Sequence, residues 1–152
     1  MAAGSVGAVG LVSAAPAVSA VRALQAALAA EDAAIFGYGV AGAHLSGSRK
    51  SAAEQDWTGH NGARDSLTAM ISALGATPVA AQAFYRLPFA VHDASTATAL
   101  AAYLEDGVTR AYLGLVAVNG RKWRTFGALA MQDSARRAAF WRGATQAFPG
   151  LS

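Results

Sequence analysis

At 152 residues the chain can build one domain with a real core, and it is too short for two ordinary ones. Hydrophobic residues make up 54% and charged residues only 14%, and the net charge of +3 is scattered apart from Arg121-Lys122 with Arg124 and the pair Arg136-Arg137, so no nucleic-acid partner is expected. The chain has no cysteine, which excludes disulfide scaffolds, thiolate metal sites and a cysteine nucleophile.

Residues 1–17 read as a low-complexity leader of Ala, Gly, Val and Ser. Its end, Ala17-Val18-Ser19-Ala20, has the small-residue pattern of a signal-peptide cleavage site. No Lys or Arg precedes the apolar run, and Gly and Pro16 interrupt it. A cytoplasmic location is therefore expected, with export through a processed signal as the alternative. The run is small rather than greasy, which argues against a membrane helix.

Residues 18–152 form the expected domain. Val21, Leu24, Leu28, Ile35 and Tyr38 recur at helical spacing in an alanine-rich stretch. Helix one is predicted from Val18 to Leu45 and stops at Ser46-Gly47-Ser48. Gly37, Gly39 and Gly42 lie inside it, each costing about 1 kcal/mol against alanine, so close helix packing or a local distortion is expected at them. Helix two spans Arg49 to Leu74 and ends at Gly75, with Trp57, His60, Leu67, Met70, Ile71 and Leu74 facing inward.

The stretch Ala76 to Ala94 carries Pro78, Pro88, Phe84, Tyr85 and Phe89, and it is long for a connection. A helix of about 25 residues is about 37 Å long, a distance this stretch can span, so it reads as a crossover along a bundle. Pro78 is placed to open a short helix within it. Asp93 or Ser95 caps helix three, which runs to Asn119-Gly120. Helix four covers Arg121 to Ala147, before Phe148-Pro149-Gly150. The fold class is thus all-α, a ferritin-like four-helix bundle with a long crossover between helices two and three.

Helices one and three share a repeat. Glu31-Asp32 with Tyr38 returns, 74 residues on, as Glu105-Asp106 with Tyr112. In metal-binding bundles of this connectivity, two helices each supply an inward glutamate and the other two each supply Glu-x-x-His. Carboxylates bridge the cations and imidazoles cap them. Here Glu31 and Glu105 fill the first pair of roles, and His60 has Trp57 three residues before it in place of glutamate. In helix four, if Asp133 takes the acid position, Arg136 stands where histidine belongs. An arginine aimed at two glutamates neutralises the charge that a metal pair otherwise neutralises. The residues therefore predict a vestigial site. Glu31, Tyr38, His60, Glu105, Tyr112 and Arg136 form its contiguous buried polar cluster, with no cofactor. The alternative is an iron enzyme, a di-iron or mononuclear oxidase or hydroxylase, using Glu31, His60, Glu105 and Asp133.

Other features read as ordinary structure. Asp32 and Asp106 sit about 100° around their helices from the glutamates and are expected to be exposed or in capping contacts. Glu54, His44 and His92 read as solvated, Arg64-Asp65 as a local ion pair, and Trp123, Phe126, Phe140 and Trp141 as an apolar stripe for the core or a dimer. No Gly-x-Ser-x-Gly elbow occurs. Gly4, Gly7 and Gly10 follow no strand and make no nucleotide fingerprint.

Leu28-Ala29-Ala30-Glu31-Asp32-Ala33-Ala34-Ile35-Phe36-Gly37-Tyr38-Gly39, His60 through Arg64-Asp65, Tyr85-Arg86-Leu87-Pro88 and the terminal Ala147-Phe148-Pro149-Gly150 together resemble an actinobacterial ferritin-like family of unknown function. The resemblance covers about residues 22–151. It implies a four-helix ferritin-like bundle, often paired into dimers, with no established activity. The chain departs from the family pattern at Asn61, Gly62 and Ala63, where relatives carry basic residues. The resulting expectation is a homodimeric structural or binding module rather than an enzyme.

Overall fold

A computed structural model describes residues 14–143, with side chains from Ser19 onward. Its four helices are α1 (Ala14–Ala43), α2 (Gly47–Ala73), α3 (Ala94–Val116) and α4 (Arg121–Arg142). The four-helix, all-α architecture expected from the periodicity is present. Helix α1 opens at Ala14, so the last four residues of the expected leader are helical. Helix α4 ends earlier than expected, at Gly143, which adopts the left-handed conformation with φ 67° and caps the helix. The Ala147-to-Gly150 motif lies outside the described residues.

Chain direction follows from the contacts. Tyr38 of α1 meets Glu105 of α3, while Glu31 of α1 meets Tyr112, so α1 and α3 are antiparallel. Helix α2 returns against α1 after a three-residue link, 44–46, and therefore runs parallel to α3. Parallel helices cannot be joined by a tight turn, and residues 74–93 cross the length of the bundle to connect them. Gln25 of α1 clamps the start of this crossover, donating to the Thr77 carbonyl at 2.7 Å and accepting from the Val79 amide at 2.7 Å. Those two bonds engage the backbone groups on either side of Pro78, and the short helix expected there is absent. Tyr85 packs on Phe36 at 5.6 Å between ring centroids, and Leu87 and Val91 lie against the core.

Asp93 caps α3 as expected. Its carboxylate accepts from the Thr96 amide at 2.7 Å, and the Thr96 hydroxyl accepts in return from the Asp93 amide. The core is built from Leu24, Leu28, Leu67, Ile71, Leu100, Val108 and Leu115, interleaved with buried alanines such as Ala27, Ala34, Ala97 and Ala101. These small residues let neighbouring helices approach closely. On α2, His60, Leu67 and Ile71 face inward as expected. Trp57 and Leu74 are substantially exposed, because they fall to the side of that stripe. On α4 only Trp141 of the expected stripe is buried, Trp123 and Phe126 are partly covered, and Phe140 faces solvent.

The glycines of α1 divide. A Cβ at Gly37 would come within 2.5 Å of the Leu104 side chain, so close packing against α3 accounts for it. Nothing lies within 4 Å of a Cβ at Gly39 or Gly42, and close packing does not explain those two. At Gly127 on α4, a Cβ would meet Val116, Leu115 and the Tyr112 carbonyl at 3.1 to 3.2 Å. Backbone yields less readily than a side chain, so a larger residue at Gly127 has little room to be accommodated. Gly39→Ala is expected to raise the unfolding free energy by up to about 1 kcal/mol. Gly127→Leu is expected to lower it by about 2 kcal/mol or more through overpacking. Urea denaturation checks both, and a neutral Gly127→Leu would contradict the close α3–α4 contact.

Candidate functional site

The 74-residue repeat becomes an exchange of hydrogen bonds. Because α1 and α3 are antiparallel, each tyrosine, two helical turns beyond its own glutamate, arrives opposite the other helix's glutamate. Tyr38 donates to Glu105 Oε1 at 2.6 Å, and Tyr112 donates to Glu31 Oε1 at 2.7 Å. All four side chains are almost fully buried. Burial, followed by the charge and hydrogen bond of the facing glutamate, raises both phenols far above their ordinary value, so each hydroxyl keeps its proton and remains a donor.

His60, fully buried on α2, stands between the two acids. Its Nδ1 lies 2.6 Å from Glu31 Oε2 and its Nε2 lies 3.0 Å from Glu105 Oε1. A neutral imidazole has one N–H to donate, and two carboxylates offer only acceptors. Both bonds are made together when the ring is an imidazolium. Burial alone would lower its pKa, but the hydrogen bonds and charges of Glu105 and Glu31 outweigh burial and push it up to about 9.

Arg137 of α4 completes the charge balance. Its Nε donates to Glu105 Oε1 at 2.9 Å. Burial would lower the guanidinium's pKa, yet Glu105 more than offsets this and the net direction is upward. Glu105 Oε1 thus receives Tyr38, His60 and Arg137, while its Oε2 is buried with no partner among the described residues. Asp56 of α2 extends the network, its Oδ2 sharing the Tyr38 hydroxyl proton with the nearer Glu105, at 3.2 Å, and accepting from the Trp141 indole at 2.9 Å. Burial raises the Asp56 carboxyl above its ordinary value, against the Trp141 bond and the Arg137 charge, which lower it.

Five of the six residues expected in the cluster are brought together: Glu31, Tyr38, His60, Glu105 and Tyr112. Arg136 is not. It is exposed and forms an ion pair with Asp133, itself exposed, so neither reaches the centre. The reason is register. The 74-residue offset that maps Glu31 onto Glu105 also maps the buried α2 positions Ala53, His60 and Leu67 onto the buried α4 positions Gly127, Ser134 and Trp141. Ser134 is therefore the counterpart of His60, and Met131 is the counterpart of Trp57. One turn beyond Ser134 lies Arg137, which reaches over the small serine to Glu105. Asp56, four residues before His60, shares its helix face in the same way. Applying the repeat offset to helices two and four identifies the inward serine and, one turn on, Arg137.

Asp32 also departs from expectation, being buried, and burial, only partly countered by the Arg64 charge, raises its carboxyl above the ordinary value. Asp106 pairs with Arg142 of α4. His44, Glu54 and His92 are exposed, and Arg64 pairs with Asp65 at 2.8 Å, as expected. Among the described residues, no group of three His, Cys, Asp or Glu side chains is arranged to hold a metal ion.

Tyr38→Phe and Tyr112→Phe are each expected to lower the unfolding free energy by about 2 kcal/mol, since each removes a donor from a buried carboxylate. Losses below about 0.5 kcal/mol in both would mean that the exchange contributes nothing. The His60 value in the fold, about 9, stands above its ordinary 6.5, so the imidazolium's contribution is fully present below pH 6.5 and is lost as pH rises through 9. The difference corresponds to on the order of 3 kcal/mol. Denaturation midpoints are expected to fall across that window and to run level in His60→Gln. A level wild-type profile would rule out the charged ring.

The crystal structure of a conserved hypothetical protein, rv2844, from Mycobacterium tuberculosis is similar to this fold, with a TM-score of 0.80 and 31% sequence identity, over 83% of this chain and 96% of that one. A comparison with curated proteins gives no match. Residues 23–152, which include the whole polar centre, match the family described as "Domain of unknown function (DUF4439)", and the chain belongs to that family.

Proposed function

We propose that this protein is a ferritin-like structural or binding module in which an ion-paired polar centre stands where related bundles place a di-iron site, and that it works without metal. The observation that carries this reading is His60, whose two ring nitrogens are both engaged by carboxylates. A metal-ligating imidazole needs a free lone pair, and an imidazolium has none.

The rest of the centre supports the same reading. Glutamates from two antiparallel helices converge on one point, the layout that di-iron bundles use. The positions three residues before His60 and before Ser134 hold Trp57 and Met131, neither of which ligates iron through a carboxylate. His60 and Arg137 supply two positive charges against Glu31 and Glu105. Divalent cations added to that balanced set would have to displace an imidazolium proton and a guanidinium. The donor set does not fit a metal pair.

The oxidase or hydroxylase alternative has one observation in its favour. Glu105 Oε2 is a buried oxygen with lone pairs to spare. Its fourth member does not join Glu31, His60 and Glu105, because Asp133 faces solvent beside Arg136.

A homodimer belongs to the proposal as well, supported by the exposed Tyr103, Leu113 and Leu129 on α3 and α4. No helix of the described residues is long and apolar enough to cross a membrane.

Metal analysis is the decisive measurement. The protein, purified without chelator and reloaded anaerobically with ferrous iron before exposure to air, is expected to retain well under one iron per chain and to show no oxo-bridge absorption. Stoichiometric iron with that band would overturn the metal-free reading. Light scattering checks the dimer, with a mass of twice the 15.4 kDa chain expected.

A further inference from the structure

Helix α1 packs along α2 and α3, and α3 along α4, but α2 and α4 make no such extended contact. Between them lies a cleft of about 410 Å³, lined by Gln55 and Asp56 from α2 and by Asp133, Arg136, Arg137 and Phe140 from α4. That volume falls within the range of small-molecule sites.

Two opposite charges face this cleft without meeting. Asp56 is anchored through Oδ2 by Tyr38 and Trp141, and its Oδ1 has no partner among the described residues. Arg137 is anchored through Nε by Glu105, and its terminal nitrogens make no hydrogen bond among the described residues. Both side chains are only partly buried, so these spare atoms remain accessible. No ion pair joins Asp56 to Arg137. Each is held from the core side, Asp56 through Oδ2 and Arg137 through Nε, which leaves the outer atoms of both toward the cleft. At the rim, Asp133 and Arg136 satisfy one another and add no net charge. The wall is completed by the apolar surfaces of Ala52 and the exposed Phe140.

A fixed carboxylate and a fixed guanidinium on the two sides of one cleft match a ligand that carries a cationic donor and an anionic acceptor close together. We propose that the α2–α4 cleft binds a small zwitterion, an α-amino acid with an apolar side chain. Its ammonium group sits on Asp56 Oδ1, its carboxylate on the terminal nitrogens of Arg137, and its side chain toward Phe140. Guanidinium suits this role because its spare N–H groups present a fork to carboxylate oxygens. The assignment rests on the metal-free reading of the centre, since Arg137 must stay bonded to Glu105.

Isothermal titration of the full chain with L-leucine tests it. Saturable binding with a Kd of about 1 mM or tighter is expected. 4-Methylpentanoate, which lacks the ammonium group, and L-leucinamide, which lacks the carboxylate, are each expected to bind at least about tenfold more weakly. Asp56→Asn keeps an acceptor for Tyr38 and Trp141, and is expected to weaken L-leucine by about tenfold without weakening 4-methylpentanoate. No saturable binding of L-leucine, or equal binding of the three compounds, overturns the proposal. Should Asp56→Asn fail to fold, the comparison of compounds on the native chain decides alone. Iron uptake separates the two levels of the argument. Failure to bind L-leucine by a chain that also takes up no iron removes the cleft assignment and leaves the centre as described, whereas stoichiometric iron removes both.

Discussion

The bundle depends on placing two carboxylates side by side in its interior. Glu31 and Glu105 are each almost inaccessible to water, and an isolated buried carboxylate is among the most costly things a fold can contain. The solution is a set of donors, two of them exchanged reciprocally between α1 and α3. Two tyrosines cross from the opposite helix, one imidazolium lies between, and one guanidinium closes the side nearest α4. Every helix contributes to this set. Tyr38 and Glu31 come from α1, His60 from α2, Glu105 and Tyr112 from α3, and Arg137 from α4. The polar centre therefore ties together elements that the apolar core alone would allow to slide.

Specificity of packing is the physical consequence. Alanine-rich helix faces are smooth, and a shift by one turn costs such an interface little. Shifting α1 against α3 would part both tyrosines from both glutamates and leave buried charges without donors, a penalty far larger than the apolar contacts could absorb. Register along the bundle is thus held by electrostatics as well as by side-chain shape, which also counts between α1 and α3 where Gly37 meets Leu104. The close approach at Gly127 adds a steric stop between α3 and α4.

The centre is symmetric in its acids and asymmetric in its cations. The same offset that relates the two halves puts His60 opposite Ser134, so the second half has a small hydroxyl where the first has an imidazole. Arg137 enters through the room this leaves. A single ring then serves both carboxylates, and the guanidinium supplies the second charge on one side only. This asymmetry faces the cleft between α2 and α4, where the outer ends of Arg137 and Asp56 emerge. Chemistry inside the core and recognition at the surface are thereby joined through the same two side chains.

Helical periodicity, caps and the repeat were legible from residues alone, because each depends on neighbours within a few positions or on a fixed offset along the chain. They determined four helices, the crossover, the Asp93 cap and the meeting of Glu31, Tyr38, His60, Glu105 and Tyr112. Arg136 and Arg137 are adjacent and chemically identical, and helix rotation alone separates them by about 100°. Which one turns inward was decided by the packing of α4 against α3 through Gly127, Ser134 and Ala138. The same holds for Asp32, covered only once the bundle closes, and for Asp56 and Arg137, each held by partners far away in sequence. Local pattern determined which side chains could share an interior, and the rotation of each helix about its axis, a property of the assembled bundle, decided which of them do.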